Sequence, residues 1–266
     1  MILRDGLPQA EDVFDRGLEF GDGVFETIAV INARPRLLER HLARLALGCE
    51  RLGIGGVDIN ACRTELEQVA SEKGVGVLKL IVTRGRGGTG YSSADCPPTR
   101  WLAAMPARER PSHFSAHGVQ LHLCELRLPS DPRLAGIKHL NRLSNVLARR
   151  EWQDVDIAEG LMRTEDGSIV CGTMSNVFLV QHDTLITPAI VTAGVCGVVR
   201  AAILDACRVE SIAVREQQVT LQDMANASEV FVTNALIGAW PVRGLAGYRW
   251  EPGPYVRRVQ EWLCGW

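Results

Sequence analysis

Several patterns that would quickly assign a protein to a class are missing from this sequence. No apolar run approaches the roughly 18 residues that a membrane-spanning helix needs. The net charge of −2 provides neither a basic surface for nucleic acid nor an acidic tail. The eight cysteines include no Cys-x-x-Cys pair, and the first residues lack the organisation of a signal peptide. These absences predict a cytoplasmic protein with reduced thiols and no metal, membrane or nucleic-acid site.

The composition is that of an ordinary globular protein. Hydrophobic residues make up 46% and charged residues 23% of the 266 positions. This is enough to bury a core in one large domain or two small ones. The segment from Pro106 to Ser112 is rich in proline and charge, which is typical of a linker. We therefore predict an N-terminal α/β domain over residues 1–105, a linker over 106–115 and a C-terminal α/β domain over 116–266.

The spacing of apolar residues predicts most of the helices and strands. Repeats of three and four residues indicate helices, and alternating or continuous β-branched runs indicate strands. The predicted helices are Leu38–Leu52, Ile59–Lys73 with Asp58 as N-cap, a helix that opens near Gly197 and runs through Cys207, and Pro254–Leu263. The predicted strands are a hairpin over Met1–Ala10, a strand ending at Ile31, Val75–Thr83, Trp101–Met105, Val119–Leu128, a β-meander over Glu159–Thr187, and Glu229–Thr233.

Lys138 lies in the segment around which the rest can be organised. It follows a turn-prone run and Gly136, and leucines and a valine at helical spacing come after it. This pattern predicts an amine at the first turn of a helix, where the helix dipole disfavours an ammonium ion. Such a lysine is a candidate for covalent catalysis. The alternative is a solvated surface charge.

Other polar residues interrupt apolar patterns in the first half of the chain. A glycine-punctuated turn at Gly21 and Gly23 leads into the strand that carries Thr27. Arg44 borders the apolar stripe of its helix, where it could either snorkel to solvent or bind a phosphate. The glycine-rich stretch from Arg84 to Ser92 could cradle an anion or be a mobile surface loop. No helix follows it, so it is not a nucleotide-binding fingerprint.

A second candidate anion site opens the predicted helix in the C-terminal half. Gly194-Val-Cys-Gly197 precedes that helix, and the N–H groups of Val198 and Val199 would face an anion there. The glycines could instead serve only to turn the chain. The polar pair Thr233 and Asn234 ends a strand, which fits either a ligand contact or a strand cap.

Taken together, these segments resemble one enzyme family. The matching stretches are Gly-Asp-Gly-Val-Phe-Glu26, His41-x-x-Arg-Leu45, Arg84–Ser92, Ile-Lys138-His-Leu-Asn-Arg142, Ser-Asn176-Val-Phe178, Gly194–Gly197 and Thr-Asn234-Ala-Leu236, in family order. The sequence is similar to 4-amino-4-deoxychorismate lyases, which belong to the pyridoxal-phosphate family that also contains branched-chain and D-amino-acid aminotransferases. The resemblance implies the two-domain α/β fold of the class IV (fold type IV) enzymes, with the cofactor in the interdomain cleft, and a homodimer.

The resemblance also implies roles for individual residues. Lys138 would hold pyridoxal 5'-phosphate covalently and then move a proton, and Thr27 would assist that transfer. The implied cofactor contacts are Arg44, Lys138, Cys171, Asn176, Val198, Val199, Thr233 and Asn234. The implied contacts to a dicarboxylate substrate are Arg84, Arg86, Tyr91, Asn141 and Arg142.

Cys171 is the largest departure from the family pattern. Relatives usually carry a glutamate there, which pairs with the protonated pyridine nitrogen and keeps the ring an electron sink. A thiol of ordinary pKa, near 8.5, is a poorer partner. Formation of an aromatic product lowers the demand on the ring, so we expect a modified site that still works, and a Cys171→Glu variant that is active.

The implied function is conversion of 4-amino-4-deoxychorismate to p-aminobenzoate and pyruvate, a step towards folate. The main enzyme alternative is an aminotransferase for branched-chain or D-amino acids, which would use the same lysine and cofactor. A non-enzymatic alternative is a scaffold protein that has lost the chemistry. Cys171 is the feature that keeps this last alternative open.

Overall fold

The computed structural model describes residues 2–4, 13–72, 74–87, 90–93 and 96–265. The chain forms two compact units. One consists of Met1–Glu109 with Ile137–Asn141, and the other of Arg110–Gly136 with Arg142–Trp266. The predicted turn at residues 5 and 6 lies outside the described residues. Within the described part of the chain, no helix combines the length and apolar character needed to cross a bilayer.

The first unit is an antiparallel sheet with helices packed on it. Its elements are β1 (Ile2–Arg4), α1 (Arg16–Phe20), β2 (Gly23–Ile31), β3 (Arg34–Pro35), α2 (Leu38–Leu52), α3 (Ile59–Ala70), β4 (Val77–Thr83) and β5 (Thr99–Met105). The strand order is β1-β5-β4-β2-β3. Alternate residues of β2 point inward, and Ile28 and Val30 join Leu42 and Leu45 of α2 in one core.

Local signals in the sequence fix the ends of α2 and α3. The predicted bounds of α2 are confirmed, and it stops where Gly53 adopts a left-handed conformation and its N–H bonds back to the last turn. Asp58 is the N-cap of α3, as predicted, because its side chain accepts a hydrogen bond from the N–H of Ala61. This helix ends at Ala70, before the predicted end.

The second unit is built on a mixed sheet. Its elements are α4 (His113–His117), β6 (Val119–Leu128), α5 (Leu143–Arg149), β7 (Ile157–Thr164), β8 (Ile169–Gly172), β9 (Asn176–Gln181), β10 (Thr184–Pro188), α6 (Val198–Val209), β11 (Val214–Gln217), α7 (Leu221–Ala225), β12 (Glu229–Asn234), β13 (Gly238–Leu245), β14 (Tyr248–Arg249) and α8 (Pro254–Gly265). The strand order is β11-β10-β9-β12-β13-β6-β7-β8, with β14 on β13. Helix α4 begins inside the segment that was predicted to be a linker.

The predicted β-meander over Glu159–Thr187 is only partly correct. β7 pairs with β8, and β9 pairs with β10, in both cases antiparallel. β9 takes β12 as its other neighbour, so β8 and β9 are not adjacent in the sheet. The local sequence could not predict this arrangement, because β12, the other neighbour of β9, lies about 50 residues further along the chain.

The prediction of a helix around Lys138 is wrong. Helix α5 begins only at Leu143. The N–H of Phe25 bonds to the carbonyl of Lys138 at 3.0 Å, and the N–H of Leu140 bonds to the carbonyl of Gly23 at 2.9 Å. These bonds hold Lys138 in an extended segment against β2, because β2 satisfies backbone groups that a short helix would leave open. The residues of the predicted apolar stripe in α5 are exposed: Leu143, Val146 and Leu147.

The two faces of α2 give a stability test with a matched control. Leu45 is 1% exposed and Leu47, on the same helix, is 50% exposed. We expect Leu45→Ala to lower the free energy of unfolding by about 2–5 kcal/mol, because it removes buried methyl groups and leaves a cavity. Leu47→Ala should change it by less than about 0.5 kcal/mol. Urea unfolding of both variants measures the difference, and equal effects would contradict the assignment of the core face.

Candidate functional site

Lys138 is held at the edge of the first unit's sheet by backbone pairing. Val24 and His139 form an antiparallel bridge, which places Lys138 beside Phe25. The ammonium nitrogen of Lys138 lies 4.2 Å from the centre of the Phe25 ring. The lysine is half-buried. A cation against a ring face is stabilised by the quadrupole of the ring.

The same face of the sheet carries two further polar side chains. Thr27 lies two residues after Phe25 on β2, and neighbouring residues of a strand alternate in direction, so the two share a face. Lys79 of β4 is directly opposite Thr27 in the strand register, and its ammonium lies 5.5 Å from the Phe25 ring. The first unit thus brings two amines and a hydroxyl to one face. The sequence-predicted pair of Lys138 and Thr27 is part of this group.

On the opposite face of β2, Glu26 occupies a core position. Its carboxylate accepts two hydrogen bonds from Arg44, from Nε at 2.8 Å and from Nη2 at 2.5 Å. Nδ1 of His41 lies 2.6 Å from the same carboxylate. The buried negative charge is therefore matched by the planar fork of an arginine. In turn, this carboxylate fixes the orientation of the Arg44 guanidinium.

The protonation states of this cluster follow from burial and charge. Burial alone would raise the pKa of Glu26, but the charge and hydrogen bonds of Arg44 and the hydrogen bond of His41 outweigh it and lower that pKa to about 2. Burial lowers the pKa of His41 below 6.5, although Glu26 opposes this. His41 is thus neutral and donates its Nδ1 proton to Glu26. Its Nε2 atom is buried with no hydrogen-bond partner among the described residues.

The described part of the glycine-rich loop is organised by two arginines. The guanidinium of Arg84 bonds to Asp22 and to the carbonyls of Leu52 and Gly53 at the end of α2. The guanidinium of Arg16, which is buried, bonds to Asp22 and to the carbonyls of the loop residues Gly90, Tyr91 and Ser92.

The remaining side chains predicted to bind substrate are more accessible. Arg86 and Tyr91 are exposed, and their side chains contact Phe14 and Phe20 respectively. Asn141 is exposed and bonds through Nδ2 to the carbonyl of Gly21. Arg142, which belongs to the second unit, lies at the N-terminus of α5 and close enough to Cys171 to lower the pKa of that thiol slightly.

Several predicted cofactor residues come together in the second unit. Asn176 of β9 is directly opposite Thr233 of β12 in the strand register. The amide of Asn176 bonds to the carbonyl of Val195, and a Cβ at Gly197 would lie only 2.0 Å from its Oδ1. Gly197 therefore allows the start of α6, with Val198 and Val199, to approach Asn176 closely. Asn234 bonds through Nδ2 to the carbonyl of Met174.

These groups fit the phosphate of the expected cofactor. Thr233 Oγ1 is buried and has no hydrogen-bond partner among the described residues, so a ligand oxygen could satisfy it. The start of α6 has no side-chain cap, and the first N–H groups of a helix have no partner within the helix. Together with the half-buried amine of Lys138 in the first unit, the chain contains the types of groups that pyridoxal phosphate needs.

Cys171 carries no charge at neutral pH, unlike the glutamate that relatives usually have at this position. Burial, together with the neighbouring Glu159, raises the pKa of its thiol to about 12. The thiol thus stays protonated near neutral pH and offers a weak donor in place of a negative charge. Glu159 does not supply that charge in its place, because both of its oxygens already accept hydrogen bonds from Gly160 and from residues 173–175.

Sequence reasoning missed five polar residues that the structure places in or beside these groups: Arg16, His41 as a partner of Glu26, Lys79, Glu159 and Asn145. One signal was available for Glu26, since a carboxylate at an inward position of an alternating strand must find a cation. His41 and Arg44, three residues apart on an amphipathic helix, are its natural partners. For Arg16, Lys79, Glu159 and Asn145, no local sequence pattern distinguishes them from ordinary polar residues of the surface.

The Glu26 cluster predicts a pH-dependent stability difference. Because its pKa of about 2 lies below the ordinary value of 4.5, its contribution is fully present above pH 4.5 and is lost as the pH falls towards 2. We expect Glu26→Gln to lower the free energy of unfolding by about 2–4 kcal/mol at pH 7. The deficit should shrink between pH 4.5 and 2.

The matched control is Glu39→Gln, which breaks an exposed pair with Arg63 in the same unit. This variant should lower the free energy of unfolding by less than about 1 kcal/mol at any pH. Urea unfolding of both variants at several pH values is the measurement. A pH-independent deficit for Glu26→Gln would show that the ionised carboxylate is not the stabilising species.

Comparison with known proteins agrees with this architecture. Residues 23–245 match the family model described as amino-transferase class IV. The chain is 32% identical to an aminodeoxychorismate lyase of Vibrio harveyi over 98% of each chain, and 30% identical to a D-alanine aminotransferase of Bacillus licheniformis over 96% of this chain and 90% of that one. A crystal structure of 4-amino-4-deoxychorismate lyase from Pseudomonas aeruginosa is similar with a TM-score of 0.96 and 45% identity, covering 100% of this chain and 98% of that chain. The predicted α/β fold class is confirmed, and the chain belongs to the class IV aminotransferase family.

Proposed function

We propose that this protein is a pyridoxal-phosphate-dependent lyase that converts 4-amino-4-deoxychorismate to p-aminobenzoate and pyruvate. The observation that carries the proposal is the placement of Lys138, whose amine lies against Phe25 on the same face as Thr27. Relatives named as aminodeoxychorismate lyases, one of them 45% identical with a TM-score of 0.96, support the lyase activity.

In the proposed mechanism, Lys138 first holds the cofactor and then acts as a base. The cofactor, when bound, withdraws electrons from the carbon that carries the substrate amino group. The freed amine of Lys138 accepts the proton from that carbon. The bond between the substrate ring and the enolpyruvyl oxygen breaks, and its electron pair leaves with the oxygen as the substrate ring becomes aromatic. The released enolate takes up one proton at its methylene carbon, equal to the one that Lys138 removed, and becomes pyruvate. Thr27, on the same face of β2 as Phe25, assists this proton transfer in the proposal.

The proposed cofactor contacts keep the residues named from the sequence. Thr233 and the N–H groups of Val198 and Val199 bind phosphate oxygens, and Arg44, oriented by Glu26, supplies positive charge for the phosphate. Asn176 and Asn234 are cofactor contacts in the same proposal, and their amides also hold the backbone of the second unit at Val195 and Met174. Cys171 would take the place of the glutamate that relatives usually carry, and it would be an uncharged thiol there.

For the two substrate carboxylates, we propose Arg86, Tyr91, Asn141 and Arg142 as contacts, with Lys79 added because of its position on the Phe25 face. Arg84 is different. Its guanidinium bonds to Asp22 and to two carbonyls at the end of α2, so we assign it the role of holding the glycine-rich loop to that helix.

An aminotransferase is the second candidate function. The observation that favours it is the similarity to the D-alanine aminotransferase of Bacillus licheniformis at 30% identity, nearly as high as that to the Vibrio harveyi lyase. Such an enzyme would use Lys138 in the same way but would need an amino donor as its first substrate. The two functions therefore differ in what is released from aminodeoxychorismate.

The decisive assay supplies aminodeoxychorismate to purified, cofactor-loaded protein and follows p-aminobenzoate and pyruvate together. We expect equal release of both by the wild type, and a loss of activity to background in Lys138→Ala, because the proposal assigns both cofactor binding and proton transfer to this amine. Of the three lysines in the sequence, Lys73 provides the control: Lys73→Ala should be active, and only Lys138→Ala should lose the label fixed by borohydride. No release from aminodeoxychorismate, together with transamination of D-alanine or branched-chain amino acids, would overturn the lyase proposal.

We also propose that the protein is a cytoplasmic homodimer. Five cysteines are buried free thiols, which suits a reducing compartment: Cys49, Cys62, Cys124, Cys171 and Cys207. The exposed apolar side chains of α5, Leu143, Val146 and Leu147, are the kind of surface that a second subunit covers.

The dimer can be tested by ultracentrifugation. We expect the wild type to sediment at twice the mass of the chain, and Val146→Asp to shift it towards the monomer, because it would bury an unpaired charge. A matched control is Val209→Asp, since Val209 is also exposed but lies at the end of α6. A wild-type monomer, or equal effects of both variants, would contradict the proposed interface.

A further inference from the structure

The loop between β8 and β9 is gathered around one buried carboxyl group. Glu159, on β7, is 1% exposed. Its Oε1 accepts hydrogen bonds from the N–H of Gly160 at 2.9 Å, the N–H of Thr173 at 3.0 Å and the hydroxyl of Thr173. Its Oε2 accepts from the N–H of Met174 at 3.1 Å and the hydroxyl of Ser175 at 2.8 Å. Four of these five donors belong to the loop.

The carbonyl groups of the same loop are held from other directions. The side chain of Asn145, on α5, donates to the carbonyl of Thr173 at 2.7 Å. The side chain of Asn234 donates to the carbonyl of Met174 at 3.1 Å. At Gly172, a Cβ would lie 2.8 Å from Glu159 Oε2 and 2.2 Å from Ser175 Oγ, so only glycine fits. The loop is therefore fixed in one conformation by side chains from three elements.

This loop separates residues to which we assign contacts with the cofactor. Cys171 comes immediately before Gly172, and Asn176 immediately follows Ser175. Asn234 bonds directly to the loop, and Thr233 is paired with Asn176 across the sheet. A shift of the loop would consequently move several of these groups at once.

We infer that Glu159 is a positioning residue, which holds the loop over residues 172–175 so that Cys171, Asn176 and Asn234 are placed to bind the cofactor. The inference rests on the proposed function, because that function makes these residues cofactor contacts. Glu159 itself touches neither cofactor nor substrate in this role. Its two oxygens are fully engaged by the loop and by Gly160.

A glutamine cannot replace this carboxyl group. One of the two oxygens would become an NH2 group, which has no lone pair to accept a hydrogen bond. Backbone N–H groups point at both oxygens, from Thr173 at one and Met174 at the other. Whichever way the amide is turned, at least one N–H donor would face another donor, and a buried donor would lose its acceptor.

The test compares Glu159→Gln with a matched control, Glu229→Gln. Glu229 is also a buried glutamate of the second unit, and it accepts hydrogen bonds from the N–H groups of Tyr255 and Val256 at the start of α8. Both variants should therefore unfold more easily in urea. Only Glu159→Gln should weaken pyridoxal-phosphate binding, by about ten- to a hundredfold, because a misplaced supporting group displaces the ligands it holds.

Hydrogen exchange on the cofactor-free protein is the second measurement. We expect faster exchange of the N–H groups of residues 172–176 in Glu159→Gln, and no change there in Glu229→Gln. Should Glu159→Gln fail to fold, Thr173→Val removes one hydroxyl donor while keeping the shape of the side chain, and it should change both quantities in the same direction.

Two results would overturn the inference. The first is a Glu159→Gln variant that binds the cofactor as Glu229→Gln does, which would make the role of Glu159 one of stability alone. The second is unchanged exchange of residues 172–176. If the wild type itself binds no pyridoxal phosphate, the proposed function and the positioning of cofactor contacts both fail, while the exchange data still decide whether Glu159 holds the loop.

Discussion

The backbone pairing between β2 and the segment Ile137–Asn141 is the constraint on which the candidate site in the first unit depends. The N–H of Phe25 and the carbonyl of Lys138 are 3.0 Å apart, and a bridge joins Val24 to His139. Backbone groups at a sheet edge need partners, and this segment supplies them. The pairing also determines which face of the sheet the Lys138 amine reaches.

β2 contributes to the core, to the ion pair with Arg44 and to the face near Lys138, because its successive side chains point in opposite directions. Its inward positions carry Ile28 and Val30 into the core, and Glu26 into the pair with Arg44. Its outward positions carry Phe25 and Thr27 to the face where the amines of Lys79 and Lys138 lie. The buried pair costs desolvation, which the two hydrogen bonds of Arg44 and the contact with His41 offset. In return, the arginine proposed to bind phosphate is held in one orientation.

In the second unit, buried polar groups fix the loop between β8 and β9, as Glu26 fixes Arg44 in the first unit. Glu159 gathers four donors from one loop, and Asn145 and Asn234 take its carbonyls. A network in which each member is satisfied is rigid, because moving one group leaves others unpaired. Thr233 Oγ1 is the exception among the described side chains near this loop, since it is buried without a partner. We propose that a ligand oxygen is the partner of this hydroxyl.

The sequence by itself determined the helices with strong periodicity and clear caps, α2 and α3, and most of the strands. It also determined the family, because the motif segments occur in order over nearly the whole chain, while the role of Lys138 stays a prediction. Tertiary structure decided the rest. Helical spacing after Lys138 was misleading, since pairing with β2 stabilises an extended segment more than a short helix could. The apparent meander was divided by β12, which comes from a distant part of the chain. The roles of Arg16, Arg84 and Glu159 depend on partners up to 76 residues away, and no local pattern encodes contacts at that distance.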